Sequence, residues 1–118
     1  MWLNTKKRSW SIDALEISGI SSQQLPELFE GNQITGKISK SSSEKLGIPM
    51  IPIVAGAGDQ AAGAIGSSVI TPDDASLVLG TSGVIFLVTD GFLPNLKQGI
   101  HAFCHAVPQT WHQMAVIL

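Results

Sequence analysis

Asp59 is the acidic residue whose setting could do chemistry. It is the one acid between Glu44 and Asp73, and it follows an apolar run and precedes a stretch of small residues. At the start of a helix its anion is favoured by the helix dipole and the free amides, which suits a weak base or a hydroxyl-binding group. A plain helix-capping aspartate explains the same residue. Gly56 and Gly58 remove side chains on both sides of Ala57, which lets a ligand approach the main chain, and a cap does not need that. A second cluster, Gly80-Thr81-Ser82-Gly83, lies between two apolar runs. Its two hydroxyls and unshielded amides suit the phosphates of a nucleotide, and an ordinary hairpin turn is the alternative. Together, a carboxylate for a hydroxyl and a cradle for phosphate point to phosphoryl transfer.

Other chemistries fit less well. Gly56-Ala57-Gly58-Asp59-Gln60-Ala61 matches the Gly-x-Gly-x-x-Ala form of a dinucleotide fingerprint. Asp59 would then set a negative charge beside the pyrophosphate, and no acid ends a second strand about 20 residues on; Asp73 and Asp74 precede the next strand instead. His101, His105, His112 and Cys104 invite a zinc reading. On a strand, however, His101, Phe103 and His105 share a face and Cys104 points the other way. Core or hydrogen-bonded histidines are expected, with no metal site, and Cys104 reads as a buried, inert thiol. Trp2, Trp10 and Trp111 are expected to pack rather than to stack on a ligand.

The elements that must position these residues follow from the pattern. Met1 to Trp10 suits an exposed hairpin or edge strand. Ser11 caps a short helix over 12–18 that Gly19 stops. Ser21 or Ser22 caps another turn, and Pro26 opens a second short helix through Phe29. Thr35 to Ile38 reads as a short strand and Ser41 to Leu46 as a surface helix ended by Gly47. Met50 to Ala55 is expected to be a buried strand, with Pro52 favouring an edge or a strand start. A glycine turn and a small-residue helix over 60–66 come next. Thr71 to Asp74 is a turn, Ala75 to Leu79 a buried strand, and Val84 to Thr89 its hairpin partner. Pro94 to Gly99 is polar loop, and Ile100 to Val107 reads as a strand followed by Pro108.

Composition bounds the function. The 118 residues carry 7 Lys+Arg against 9 Asp+Glu, a formal charge of −2. Without a basic stripe the chain is not built to neutralise phosphate, so neither nucleic acid nor an anionic membrane is expected as a partner. The apolar runs are far short of the ~20 residues that span a bilayer, and the start is not a secretory signal, so the cytoplasm is the expected compartment. One cysteine excludes an internal disulfide framework. Charged residues make up 14% of the chain, against roughly 25% in ordinary soluble domains, and most precede residue 49. The segment from Pro49 on reads as interior that needs neighbours. With its apolar end Met114 to Leu118, the chain is read as a piece of a longer protein.

The run Ile51-Pro52-Ile53-Val54-Ala55-Gly56-Ala57-Gly58-Asp59-Gln60-Ala61-Ala62-Gly63-Ala64-Ile65-Gly66, followed by Ser76-Leu77-Val78-Leu79-Gly80-Thr81-Ser82-Gly83-Val84, closely resembles the FGGY carbohydrate kinases. His101 to Pro108 with Trp111-His112-Gln113-Met114 is similar to the branch of that family acting on D-xylulose. Trp2 to Trp10 and Gly31 to Gly36 resemble the same proteins, so the likeness covers nearly the whole chain. It implies an α/β architecture, a fragment of the ribonuclease H-like or actin-like ATPase fold shared by sugar kinases, Hsp70 and actin. It further implies that residues 1–67 are the tail of an N-terminal, sugar-side domain, 68–75 an interdomain link, and 76–118 the start of a C-terminal, ATP-side domain.

By the same resemblance Asp59 matches the catalytic aspartate that takes the proton from O5 of D-xylulose as it attacks the γ-phosphate of ATP. Gln60 neighbours it at the sugar. Gly80, Thr81, Ser82 and Gly83 match a phosphate-binding loop, with Thr81 near the transferred group. The implied ligands are D-xylulose and ATP with Mg2+, and a homodimer is open for a full-length protein. Other FGGY kinases, for glycerol, gluconate or ribulose, and a non-catalytic actin-fold ATP-binding module are the alternatives. The family's first phosphate loop, an Asp-x-Gly-Thr element, its upstream sugar contacts and its downstream adenosine-binding Gly-Gly segment have no counterpart in these residues. The polypeptide alone is therefore expected not to phosphorylate sugar at a useful rate, and normal turnover of D-xylulose in a coupled ADP-release assay would overturn that expectation.

Overall fold

The computed structural model describes residues 2–117; Met1 and Leu118, the outer ends of the expected hairpin and apolar run, lie outside the described residues. The N-terminal hairpin pairs β1 (Leu3–Asn4) with β2 (Ser9–Trp10) antiparallel, Leu3 opposite Trp10. Asn4 closes its turn by accepting the Lys7 N–H at 3.0 Å. Helix α1 (Ile12–Ser18) runs from the Ser11 cap to Gly19, which takes the left-handed conformation at φ +67°. Helix α2 (Lys40–Leu46) is built alike, with Ser39 as cap and Gly47 at φ +66°. Both glycines end their helices because a side chain resists that φ.

The helix expected from Pro26 to Phe29 does not form. A 3₁₀ turn over Ser22–Gln24 is closed by a capping box in which Ser21 and Gln24 satisfy each other's main chain. Leu25 is then extended (φ −101°, ψ 148°), as the residue before a proline prefers. The Pro26 carbonyl accepts the Trp10 indole N–H at 3.2 Å instead of starting a helical ladder.

Strand β3 (Ile34–Lys37) pairs antiparallel with β4 (Pro52–Val54) in a separate two-stranded ribbon, with a register shift between Ile34 and Gly36. The strand expected to be buried is instead exposed, Ile53 at 45% and Val54 at 52%. Pro52 has no N–H to extend the ladder, so the strand stays short and at an edge. Helix α3 (Asp59–Gly66) follows, and the remaining strands form one antiparallel sheet in the order β5 (Ala75–Leu79), β6 (Gly83–Thr89), β8 (Trp111–Ile117), β7 (His101–Cys104). The β5 strand, also expected to be buried, is one of the sheet's two edges and leaves Leu77 and Leu79 exposed.

Strand β7 ends at Cys104 rather than continuing to Val107. The His105 ring accepts the Val107 N–H at 2.9 Å, while the His105 N–H donates to the Thr110 carbonyl at 3.0 Å, turning the chain into β8. No strand was expected over residues 111–117, because its opening Trp-His-Gln hides the alternation. Yet β8 lies between β6 and β7 and is paired on both sides.

The core lies where α3 meets this sheet. Ala64 packs on Phe86 and Val88, which are 1% and 0% exposed, with Val69 alongside. Small side chains let the helix come close. The opposite sheet face, carrying Leu77, Leu79, Ile85 and Ile117, stays largely exposed.

Arg8 fastens the hairpin to the rest. Its Nη1 reaches both Glu30 carboxylate oxygens at 2.8 and 2.9 Å, its Nη2 donates to the Thr110 carbonyl, and its guanidinium stacks 4.5 Å from the centre of Trp111. The Arg8 and Glu30 side chains are only 14% and 20% exposed, so removing one partner strands the other. Arg8→Ala is expected to cost about 2 kcal/mol of stability, read as a lower urea midpoint at unchanged slope.

Candidate active site

Asp59 is the first residue of α3, with Gly58 as the cap residue and no side-chain capping bond. The capping-aspartate alternative is therefore excluded. Its carboxylate is exposed, not buried, and accepts no hydrogen bond among the described residues. The glycines before it have different causes. Gly56 sits at φ +79°, which favours glycine on its own account. Gly58 has an ordinary φ of −61°, and a Cβ there would meet nothing within 4 Å. The fold makes no demand for glycine at 58, so that bareness leaves the helix end open to approach.

Asp59 and Gln60 line a cavity of about 300 Å³ together with Thr5, Phe103, His112 and Met114. The hairpin contributes one wall, α3 a second and the sheet a third. No lysine or arginine is among the lining residues.

Gly80 to Ser82 form the tip of the β5–β6 hairpin, closed by the Gly80 N–H donating to the Ser82 carbonyl at 3.0 Å, and Gly83 pairs with both Leu79 and Ile117. None of the four residues lines the Asp59 cavity. The hairpin tip meets the far end of β8, three residues beyond Met114, which is about 10 Å at the rise of a strand. The hydroxyls of Thr81 and Ser82 have no hydrogen-bond partner among the described residues. A Cβ at Gly80 would meet only the Ser82 carbonyl, at 3.9 Å, an ordinary contact, and neither Gly80 nor Gly83 is at positive φ. As at Gly58, the turn does not dictate glycine.

Two of the three histidines, His105 and His112, are buried as expected. His105 is buried, its Nδ1 accepting from Val107 and its Nε2 facing the Val69 carbonyl at 3.2 Å, which fixes the proton on Nε2. His112 is 4% exposed and stacks on Phe86 at 4.1 Å and Phe103 at 5.6 Å. His101 is exposed. Among the described residues no three histidine, cysteine or carboxylate side chains gather as metal ligands. Cys104 is half-buried, donates to the Thr5 carbonyl at 3.5 Å, and has its thiol pKa pushed up by burial. All three indoles are packed and hydrogen-bonded: Trp2 to Ser18, Trp10 to Pro26, Trp111 to Thr5. The strand–glycine turn–helix before Asp59 belongs to an antiparallel ribbon, not to the parallel unit a dinucleotide fingerprint requires.

One residue escaped the sequence. A Cβ on Gly31 would stand 3.0 Å from both the Gly56 and the Ala106 carbonyl oxygens. Three main chains meet there, and the Gly56 N–H donates to the Gly31 carbonyl at 2.9 Å. This contact sets where the turn before Asp59 begins.

An antiparallel sheet packed on α3, with an acid at the helix start and a hydroxyl-bearing hairpin at one end of the sheet, frames the candidate site. The family model of the FGGY family of carbohydrate kinases, N-terminal domain, matches residues 1–66, and the chain belongs to that family. It is 46% identical over its full length to the xylulose kinase of Escherichia coli K12 and 41% identical to that of Klebsiella pneumoniae, covering 24% of each. The chain thus spans about a quarter of the length of the curated relatives it matches. Among solved structures it superposes on a xyloylose kinase from Brucella ovis with a TM-score of 0.94 at 40% identity, over 99% of this chain and 24% of that one. A gluconate kinase from Lactobacillus acidophilus gives 0.86 at 27% identity, over 98% and 23%. The actin-like ATPase architecture expected from the sequence agrees with these neighbours. Among the described residues no helix is long and apolar enough to cross a membrane.

Burial and the neighbouring His105 lower the His112 pKa from 6.5 to about 4, and burial lowers that of His105 in the same direction. The unfolded chain therefore binds the proton first on acidification. Stability is full above pH 6.5 and falls as the pH drops towards 4, by roughly 3 kcal/mol for His112 alone. Urea midpoints at pH 7.5 and 4.5 are expected to show this loss, and His112→Phe to remove most of it.

Proposed function

We propose that this chain carries the catalytic aspartate of an ATP-dependent kinase that converts D-xylulose to D-xylulose 5-phosphate. The observation that carries the reading is the unengaged Asp59 carboxylate at a cavity lined by no lysine or arginine. The Asp59 carboxylate takes the proton of the O5 hydroxyl as that oxygen attacks the γ-phosphorus, and ADP leaves with the electron pair of the broken P–O bond. Gln60, next along the first turn of α3, offers an amide to another hydroxyl of the sugar. Thr81 and Ser82, with the open main chain at Gly80 and Gly83, fit the ATP phosphates. MgATP supplies the phosphoryl group and the charge that steadies it. A Mg2+ ion here would ride on the phosphates, since the cavity lining offers it one carboxylate only.

The division into a sugar-side domain over residues 1–67, a link over 68–75 and an ATP-side domain over 76–118 belongs to the same reading. Support comes from the family match over residues 1–66 and from the separate sheet that begins at Ala75. Cytoplasmic pentose metabolism is the setting this activity would have.

The likeness to gluconate kinase raises a second acceptor. A carboxylate-bearing sugar would need a lysine or arginine to pair with, and the Asp59 cavity lines itself with neither. An uncharged polyol is the better match.

In a full-length protein carrying this segment, Asp59→Asn is expected to reduce turnover by about 10²- to 10⁴-fold with nucleotide binding retained, in an ADP-release assay with D-xylulose. Unchanged turnover would favour a non-catalytic ATP-binding module. Faster turnover of gluconate than of xylulose would move the substrate assignment.

A further inference from the structure

Three polar side chains are buried among the described residues: Thr89, His105 and His112. Thr89 donates to the Gly91 carbonyl at 2.9 Å, and both ring nitrogens of His105 are engaged. His112 makes no hydrogen bond. Its Nδ1 is fully enclosed without a partner, and the side chain lines the cavity that holds Asp59 and Gln60.

A space filler between Phe86 and Phe103 would not need nitrogen at all. An enclosed polar atom without a partner costs about 1–3 kcal/mol, and a phenylalanine would occupy the same stack without that penalty. The enclosed Nδ1 is best accommodated as a bare lone pair, because an orphaned buried N–H is rarer than an orphaned acceptor. That leaves the ring proton on Nε2, the nitrogen that is not fully enclosed, on a side chain that lines the cavity.

We propose that His112 is a sugar-binding residue, its Nε2–H donating to a second hydroxyl oxygen of the polyol whose reacting hydroxyl lies at Asp59. The proposal rests on the kinase reading above and narrows it. A neutral N–H in an apolar wall of Phe103 and Met114 donates well to the oxygen of an uncharged hydroxyl, and it lacks the charge that would hold a sugar carboxylate. The ligand class is therefore a neutral polyhydroxy chain. A site built to hydrogen-bond one hydroxyl rejects an analogue lacking it, because its own donor is then left unpaired.

The test uses a full-length protein carrying this segment, labelled with ¹⁵N, observing the histidine ring nitrogens and the backbone amides at pH 7.5 while D-xylulose is added, with D-gluconate as comparison. The expected result is an Nε2–H tautomer for His112 in the free chain and a shift of its Nε2 resonance with D-xylulose but not with gluconate. His112→Phe should weaken xylulose binding about tenfold, and His112→Gln should restore part of it. Should the phenylalanine variant not fold, the ring shift in the unsubstituted chain decides. Xylulose moving the Asp59 and Gln60 amides while the His112 ring stays still would overturn this inference and leave the kinase reading standing. No response of any of these groups to D-xylulose would overturn both.

Discussion

Three stretches of main chain meet at Gly31, and the arrangement of the candidate site depends on that meeting. The carbonyls of Gly56 and Ala106 both approach to where a Cβ would stand at 3.0 Å. Neither approach leaves room for a side chain, and both partners are main chain, which cannot swing aside. The Gly56 N–H donates to Gly31, and the Ala55 N–H to Gln33. The turn before α3 is thus pinned to the segment after Glu30 and to the turn between β7 and β8. Arg8 fastens two of these regions, at Glu30 and at the β7–β8 turn, to the N-terminal hairpin through Glu30, Thr110 and Trp111. Its hydrogen bonds join residues 22 and 102 apart in the chain. Were the junction to slip, the first turn of α3 would no longer stand over Phe103 and His112.

The sheet side of the site is held by different forces. Ala61 and Ala64 are small enough for α3 to sit close to the sheet, where Phe86 and Val88 lose nearly all contact with water. The His105 ring adds a polar fastening to Val69, just beyond the end of α3, and steadies the turn into β8 through Val107. One side chain therefore ties the helix exit to the strand turn. The opposite face of the sheet has no such layer, and Leu79 is 77% exposed there. This is the apolar surface that the low charge of the second half of the sequence foreshadowed.

What was legible in the sequence was what local chemistry decides. Ser11 and Gly19 bracket α1, and Ser39 and Gly47 bracket α2, because a capping hydroxyl and a left-handed glycine act within one turn. The hairpin at Gly80 was readable for the same reason. Distant partners decided the rest. Nothing near Gly31 in the sequence announces that its neighbours are Gly56 and Ala106. The segment from Pro26 lost its helix to a capping box upstream and to the indole of Trp10. The β8 strand was hidden because the polar His112 and Gln113 break its apolar run, although His112 is among the most buried residues of the fold. Asp59 looked like a buried cap because an apolar run precedes it. Its exposure follows from Gly58 taking the cap position and from β4 being an edge strand.

Glycines separate the scaffold from the surface left for ligands. Gly31 is required by crowding, and Gly19, Gly47, Gly56 and Gly99 by positive φ. Gly58 and Gly80 answer to neither demand, as do Gly36, Gly63, Gly66 and Gly91: their backbones are open to any residue, and an added Cβ would meet nothing closer than 3.9 Å. A glycine in the chain lowers stability by widening the freedom of the unfolded state, so alanine at such a position should stabilise the fold by several tenths of a kcal/mol or more. Beside a group that could bind a ligand, a bare glycine lets something outside the fold come closer than a methyl group allows. Gly58 stands beside Asp59, and Gly80 stands beside the hydroxyls of Thr81 and Ser82. These two of the bare positions flank unengaged oxygens, one at the start of α3 and one at the tip of the β5–β6 hairpin. A ligand touching both would need a hydroxyl-bearing head at the carboxylate and an anionic tail at the hydroxyls.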